Sequence, residues 1–151
     1  MTPVTVRPAT AADVPHWAAM RAQLWPDDDA ASHAEDIAAT FLSGDPDQVA
    51  FVAEGDGGTL LGFVEASIRR DYVDGCDTSP VAFGEGAFIV PEMRGTGAGR
   101  ALVEAVAEWG RARGCTELAS NALLDNTASH AFHEAVGFEE TERVVFFRRM
   151  L

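Results

Sequence analysis

The sequence predicts a mixed α/β domain, with a mostly antiparallel sheet flanked by helices. Three observations support this. Apolar runs of strand length alternate with segments of helical spacing, and two of the runs are joined by Gly55-Asp56-Gly57-Gly58. That tight turn is a hairpin signal, so the sheet is mixed rather than doubly wound. At 151 residues the chain has the length of one domain, and no repeat, linker or low-complexity tract divides it. Hydrophobic residues make up 47% and charged residues 23%, enough for a core and against global disorder.

The elements follow in order. Val4 to Arg7 reads as a short strand ended by Pro8. Asp13 then precedes Val14, Trp17, Met20, Arg21 and Leu24, a helical spacing with an acid near the positive end of the helix dipole. Trp25-Pro26 stops that helix. After the acidic loop Asp27-Asp28-Asp29, Ser32-His33-Ala34-Glu35 matches a capping box for a second helix through Ile37 and Phe41. Gln48 to Glu54 and Leu60 to Ile68 are the hairpin strands, and Arg69 to Pro80 is a polar loop. Val81 to Val90 is a strand interrupted by Gly84 and Gly86. A long amphipathic helix follows the glycine-rich turn at Arg94 and ends near Gly114, with Leu102, Val103, Val106 and Trp109 on one face. Glu117 to Ala119 is a short buried strand, Asn126 to Val136 a helix, and Val144 to Arg148 a closing strand.

Charge and cysteine content exclude several functions. The formal net charge is −13, and all eleven basic residues are arginine. Spread over a monomer surface on the order of 7,400 Å², this charge repels nucleic acid backbones, and it either favours cationic partners or serves only solubility. Without lysine there is no Schiff base and no lysine general base. Cys76 and Cys115 lie far apart and suggest neither a disulfide framework nor a zinc site. Met1 to Val14 lacks the basic and apolar regions of a signal peptide, and no apolar run approaches the ~20 residues of a membrane span. A cytoplasmic protein with no membrane partner is expected.

The turn Arg94-Gly95-Thr96-Gly97-Ala98-Gly99 places backbone N–H groups at a helix N-terminus, where the dipole also favours an anion. It is not a P-loop, which requires lysine, and it lies too far along the chain for a dinucleotide fold. Taken alone it is either a tight turn or a pyrophosphate site.

Its context resolves the choice. Arg94-x-x-Gly97-x-Gly99, following Gly86-Ala87-Phe88-Ile89-Val90-Pro91, resembles the acetyl-CoA pyrophosphate loop of the GNAT N-acyltransferase superfamily. Downstream, Asn126-x-x-Ser129-x-x-x-His133-x-x-x-Gly137-Phe138 is similar to the superfamily's Asn-x-x-Ala-x-x-x-Tyr-x-x-x-Gly-Phe segment. Further blocks resemble the aminoglycoside 6'-N-acetyltransferases. They are Leu24-Trp25-Pro26, Glu65 to Arg69, Tyr72-Val73-Asp74-Gly75, Thr78 to Val81, Gly84-Glu85-Gly86 and Gly137 to Glu142. The resemblance spans essentially the whole chain. It implies the GNAT fold, acetyl-CoA as cosubstrate with no metal, direct acetyl transfer to the 6'-amine of an aminoglycoside in a ternary complex, and a homodimer. Another cationic amine as acceptor, a polyamine or a peptide N-terminus, or a non-catalytic acyl-CoA-binding module, are the alternatives.

The resemblance also assigns residues. Phe88, Ile89 and Val90 would offer backbone groups to the pantetheine arm, and Asn126 would contact it. Arg94, Gly95, Thr96, Gly97, Ala98, Gly99 and Arg100 would hold the pyrophosphate. His133 stands where many relatives carry the tyrosine that protonates the thiolate; otherwise it is a helix residue packed beside His130. Trp25 and Tyr72 would pack against sugar rings, Trp25 otherwise joining the core. Glu85 would position a water or an ammonium, and Glu139 and Glu142 would meet substrate amines or lie on the surface. One departure stands out: relatives typically carry an aspartate, proposed as the base, where this chain has Asn121. An amide cannot take up a proton near neutral pH, so the base would be Glu85 through water, or Asp125, or none.

Overall fold

The computed structural model describes residues 4–151, so the first three residues of the Met1–Val14 stretch lie outside the described part. Five strands, β1 (Thr5–Pro8), β2 (Gln48–Glu54), β3 (Leu60–Arg69), β4 (Val81–Ile89) and β5 (Leu118–Ala119), form one sheet in the order β1-β2-β3-β4-β5. The first three pairings are antiparallel and the last is parallel. The helices are α1 (Val14–Leu24), α2 (Ala30–Phe41), α3 (Ala98–Ala112) and α4 (Thr127–Ala135). None is long and apolar enough to cross a membrane.

Strand β3 is central and covered on both faces, so its two alternating sets of side chains enter two different core layers. Val64, Ala66 and Ile68 pack with Leu102, Val106 and Trp109 of α3. Phe63 points the other way, toward Trp17 and Met20 of α1 and Ile37 of α2. The fully buried Trp17, Phe63, Ile37 and Leu102 each contribute about 1.5–3 kcal/mol by the transfer of apolar surface out of water. Cys76 and Cys115 are free thiols.

The structure departs from the sequence expectation in two places. The second helix begins at Ala30, because the Asp29 carboxylate accepts from the Ser32 N–H at 2.8 Å and caps the helix there. Asp13 stands at the start of α1, as expected, without a side-chain cap bond. Its carboxylate takes a bidentate pair of hydrogen bonds from Arg7, both at 2.8 Å, and another from the Thr10 N–H. Most visibly, the strand expected over 144–148 is not formed. Residues 139–151 have no regular secondary structure, and Phe146 and Phe147 are 85% and 92% exposed. A strand needs a neighbour to pair with, and within the described chain this segment has none.

The Arg7–Asp13 pair ties β1 to the start of α1 and carries a pH signature. Hydrogen bonding to Arg7 holds the Asp13 carboxyl down to about 2, against an ordinary 3.8. A depressed acid stabilises the fold above its unfolded value and loses that stabilisation as pH falls through its folded value. Asp13→Asn should therefore lower stability at pH 7 by roughly 1–2 kcal/mol, discounted for the water around Arg7. Urea titrations should show the difference from wild type closing between pH 4 and pH 2.

Candidate active site

The site begins with an irregularity in the β3–β4 ladder. Glu65 pairs with Gly86 and Ala66 pairs with Gly84, which leaves Glu85 as the extra residue of a β-bulge. The bulge turns the Glu85 side chain onto the α1/α2 side of the sheet. There Ser67 Oγ donates to Glu85 Oε1 at 2.6 Å, and Arg69 Nη2 bonds both carboxylate oxygens at 3.0 and 3.2 Å. The Arg69 guanidinium lies 3.6 Å from the Phe83 ring centroid, which fixes its own position.

Beyond the bulge the sheet opens. Strand β5 pairs with β4 only at Ala82 and Phe83, so the β5-side edge of β4 from Gly84 onward has no strand partner among the described residues. A slot of about 220 Å³ occupies the gap and is lined by Glu85, Ser120, Asn121, Asn126 and His133 with apolar groups of α3 and α4. Asn126 caps α4, its side-chain oxygen accepting from Ser129 N–H at 3.2 Å. His133 Nδ1 sits 2.6 Å from the Ser129 carbonyl oxygen, which only accepts, so Nδ1 carries the proton. Nε2 then faces Ser120 Oγ at 2.9 Å. In the neutral ring it accepts from that hydroxyl; as an imidazolium it donates. The Phe138 ring packs edge-on against the imidazole, with centroids 5.1 Å apart.

A second, larger cavity of about 620 Å³ lies on the α1/α2 side, lined by Asp28, Asp36, Glu65, Glu85, Arg21 and Trp25 among others. Trp25 is seated by two close approaches. Its ring lies on Gly86, where any Cβ would come within 2.4 Å of it, and His33 Nε2 is 3.0 Å from its backbone carbonyl. The Arg21 guanidinium stacks 5.1 Å from the Trp25 ring centroid and donates to Asp36 at 2.7 Å. Glu65 is 2% exposed and accepts from the Trp17 indole N–H at 2.8 Å. Burial pushes its carboxyl up to about 7, Asp36 and Glu85 add to the rise, and Arg21 and Trp17 partly oppose it. An acid raised by folding stabilises fully below its unfolded value near 4.5. That contribution is lost as pH rises through about 7.

At the far end of β4, the turn before α3 is shaped for an anion. Gly97 precedes the helix with φ +94°, a conformation L side chains rarely adopt, and a Cβ there would meet nothing within 4 Å. The first intrahelical bond runs from Ala101 N–H to the Gly97 carbonyl, so the N–H groups of Ala98, Gly99 and Arg100 have no helix carbonyl to bond. Arg94 is anchored by its Nε–H to the Ile89 carbonyl at 3.0 Å.

Of the residues singled out by sequence, Trp25, Glu85, Asn121, Asn126 and His133 converge on the slot. Tyr72, 75% exposed, and the exposed Asp125, Glu139 and Glu142 line neither cavity. Sequence reasoning missed Arg21, Glu65, Ser67, Arg69 and Ser120. One signal was available: Glu65 is the single charge inside the apolar run Leu60 to Ile68. Among the described residues, no group of three or more His, Cys, Asp or Glu could hold a metal ion.

Comparison with known proteins matches residues 15–138 to the Acetyltransferase (GNAT) family. An aminoglycoside N(6')-acetyltransferase type 1 of Stenotrophomonas maltophilia is 45% identical over 147 residues, covering 97% of this chain and 94% of the relative. Its Salmonella typhimurium counterpart is 47% identical over 138 residues, covering 89% and 90%. Among solved structures, the aminoglycoside 6'-N-acetyltransferase of Acinetobacter baumannii superposes with a TM-score of 0.92 at 40% identity, covering 99% of each chain. An aminoglycoside N-acetyltransferase bound to the bisubstrate analogue CoA-S-monomethyl-acetylneamine gives 0.90 at 41% identity, again over 99% of each.

Proposed function

The chain belongs to the acetyltransferase (GNAT) family, and from that premise we propose that it transfers the acetyl group of acetyl-CoA to the 6'-amine of aminoglycosides. The observation that carries this reading is the junction of the two cavities. Trp25 and Glu85 line both, so an amino sugar held in the carboxylate-lined chamber presents an amine to the slot. Aminoglycosides are polycations, and that chamber sets four carboxylates against one guanidinium.

Acetyl-CoA supplies the activated thioester carbonyl, and the residues present fit it. The residues from Arg94 to Arg100 hold the pyrophosphate with the backbone N–H groups and the positive end of α3. Phe88 and Ile89 end β4 beside its open edge, which would receive the amide-bearing pantetheine as a sheet edge receives a peptide; the Val90 N–H is already bonded to the Leu61 carbonyl on the β3 side, and Asn126 borders the slot. Glu85 holds the acceptor ammonium or a water that takes its proton. His133, tethered by Ser129 and Ser120, is the group on the thiolate side. An assay of thiol release from acetyl-CoA should show turnover with kanamycin well above that with spermidine or a peptide, and NMR should place the new acetyl group on N6'. Preference for spermidine or the peptide, or no turnover at all, would overturn the assignment.

The resemblance also implies a homodimer, and the exposed tail supports it. The accessible surface is 9,495 Å², about 2,000 Å² above the ~7,400 Å² expected of a monomer of this mass. Buried from both copies, that excess would make an interface of about 4,000 Å², within the range of obligate homodimers. We expect residues 144–148 to become a strand against a second copy of the chain. Light scattering at micromolar concentration should give the dimer mass, and removal of residues 144–151 should give a monomer. A monomeric full-length chain would refute this. Dependence on acetyl-CoA accords with a cytoplasmic location.

A further inference from the structure

We propose that Glu65 is a specificity-determining residue that binds a second ammonium of the acceptor, one carried by the same sugar ring as the amine to be acetylated. This rests on the aminoglycoside reading and deepens it. Glu65 and Glu85 lie on adjacent strands and on the same face of the sheet. Strand spacing sets their backbones about 5 Å apart, a separation that a single sugar ring with two amines can bridge.

The local hydrogen bonding leaves Glu65 available. Its only hydrogen-bond donor among the described residues is the Trp17 indole, to Oε2. Arg21 Nε stands 3.5 Å from the same oxygen without forming a hydrogen bond, and Arg21 Nε and Nη1 are buried with no partner. The Arg21 charge is committed first to Asp36, at 2.7 Å. Glu65 is thus a carboxylate on the wall of the chamber, with most of its accepting capacity unused. Arg21 already meets it as an ion pair at 3.5 Å, but the Arg21 charge is divided between Glu65 and Asp36, so the carboxylates of the chamber outnumber its one cation and leave room for a second.

The charged and titratable groups facing it are Arg21 from α1, His33 and Asp36 from α2, Asp28 from the α1–α2 loop and Glu85 from β4; β2 contributes only the uncharged Gln48. A bound ammonium adds a positive charge to this set and draws the Glu65 proton off. The contribution of Glu65 to binding should therefore be present above about pH 7 and fade below it.

The test uses two aminoglycosides that differ only in carrying a 2'-amine or a 2'-hydroxyl beside the 6'-amine. Wild type should show a KM about tenfold lower for the 2'-amine at pH 8, the value of one charge-assisted hydrogen bond, with the preference shrinking at pH 6. Glu65→Gln keeps an acceptor for the Trp17 indole and removes only the charge, so it should abolish the preference while its melting temperature at pH 8 stays at or above wild type. A variant that keeps the preference overturns the proposal. So does a variant that weakens both acceptors equally, since that marks a structural role. Wild-type turnover of neither acceptor overturns the aminoglycoside reading and this proposal together, which separates that failure from failure of Glu65 alone.

Discussion

Glu85→Gln is expected to lower kcat/KM for the aminoglycoside about 10²-fold, the low end for general base catalysis. An ammonium has no lone pair for the thioester carbonyl, so a proton must leave before or during attack. Asn121 lines the slot but cannot accept it, the chain has no lysine, and Asp125 lies outside both cavities. That leaves Glu85 as the carboxylate at the junction. Its bulged backbone and its bonds to Ser67 and Arg69 hold it in one orientation, and glutamine can preserve the shape without the basicity. A fall in kcat identifies a proton acceptor, whereas a rise in KM at constant kcat identifies an ammonium anchor. Asn121→Asp, which places a carboxylate in the slot, should raise kcat/KM at neutral pH if deprotonation limits the rate. Wild-type rates for Glu85→Gln from pH 6 to 9 would remove Glu85 from the mechanism.

Gly97→Glu should weaken acetyl-CoA binding on the order of 10²-fold. The helix-terminus interaction is lost to a like charge held against the pyrophosphate, and each effect is worth about 1–2 kcal/mol. The position has φ +94° and open space where a side chain would go, so the substitution strains the turn locally and projects into the cradle rather than into the core. Gly97→Ala shares the backbone strain without the charge and should lose less. Calorimetric titration with acetyl-CoA measures both. A folded Gly97→Glu protein with unchanged affinity would exclude this turn as the pyrophosphate site.

Much of the fold could be read from the sequence, because the signals were local. The hairpin turn, the glycine interruptions of β4 and the apolar stripe of α3 each act within a few residues. One miss is a local competition: the Asp29 side chain reaches forward to the Ser32 N–H and starts α2 ahead of the Ser32 capping box. The other features that escaped depend on distant partners. Segment 144–148 has strand composition, yet composition cannot supply a neighbouring strand. At the site, the motif-borne Glu85, Asn126 and His133 line one slot. Glu65 is marked in the sequence only as the lone charge of its apolar run; its burial depends on α1, through Trp17, 48 residues away, and Arg21 carries no sequence signal of its own.

The seating of Trp25 has an optical consequence. The chain has three tryptophans, and Trp17 and Trp109 are sealed in the two core layers. Trp25 alone borders both cavities, half-buried, with its ring against Gly86 and the Arg21 cation over its face. Trp109 is remote from the reaction chamber and Trp17 senses it only through its hydrogen bond to Glu65, whereas the Trp25 indole emission reads its dielectric directly. Filling either cavity displaces water from that ring, so the molecule carries a native fluorophore through which the order of ligand entry can be followed without a label.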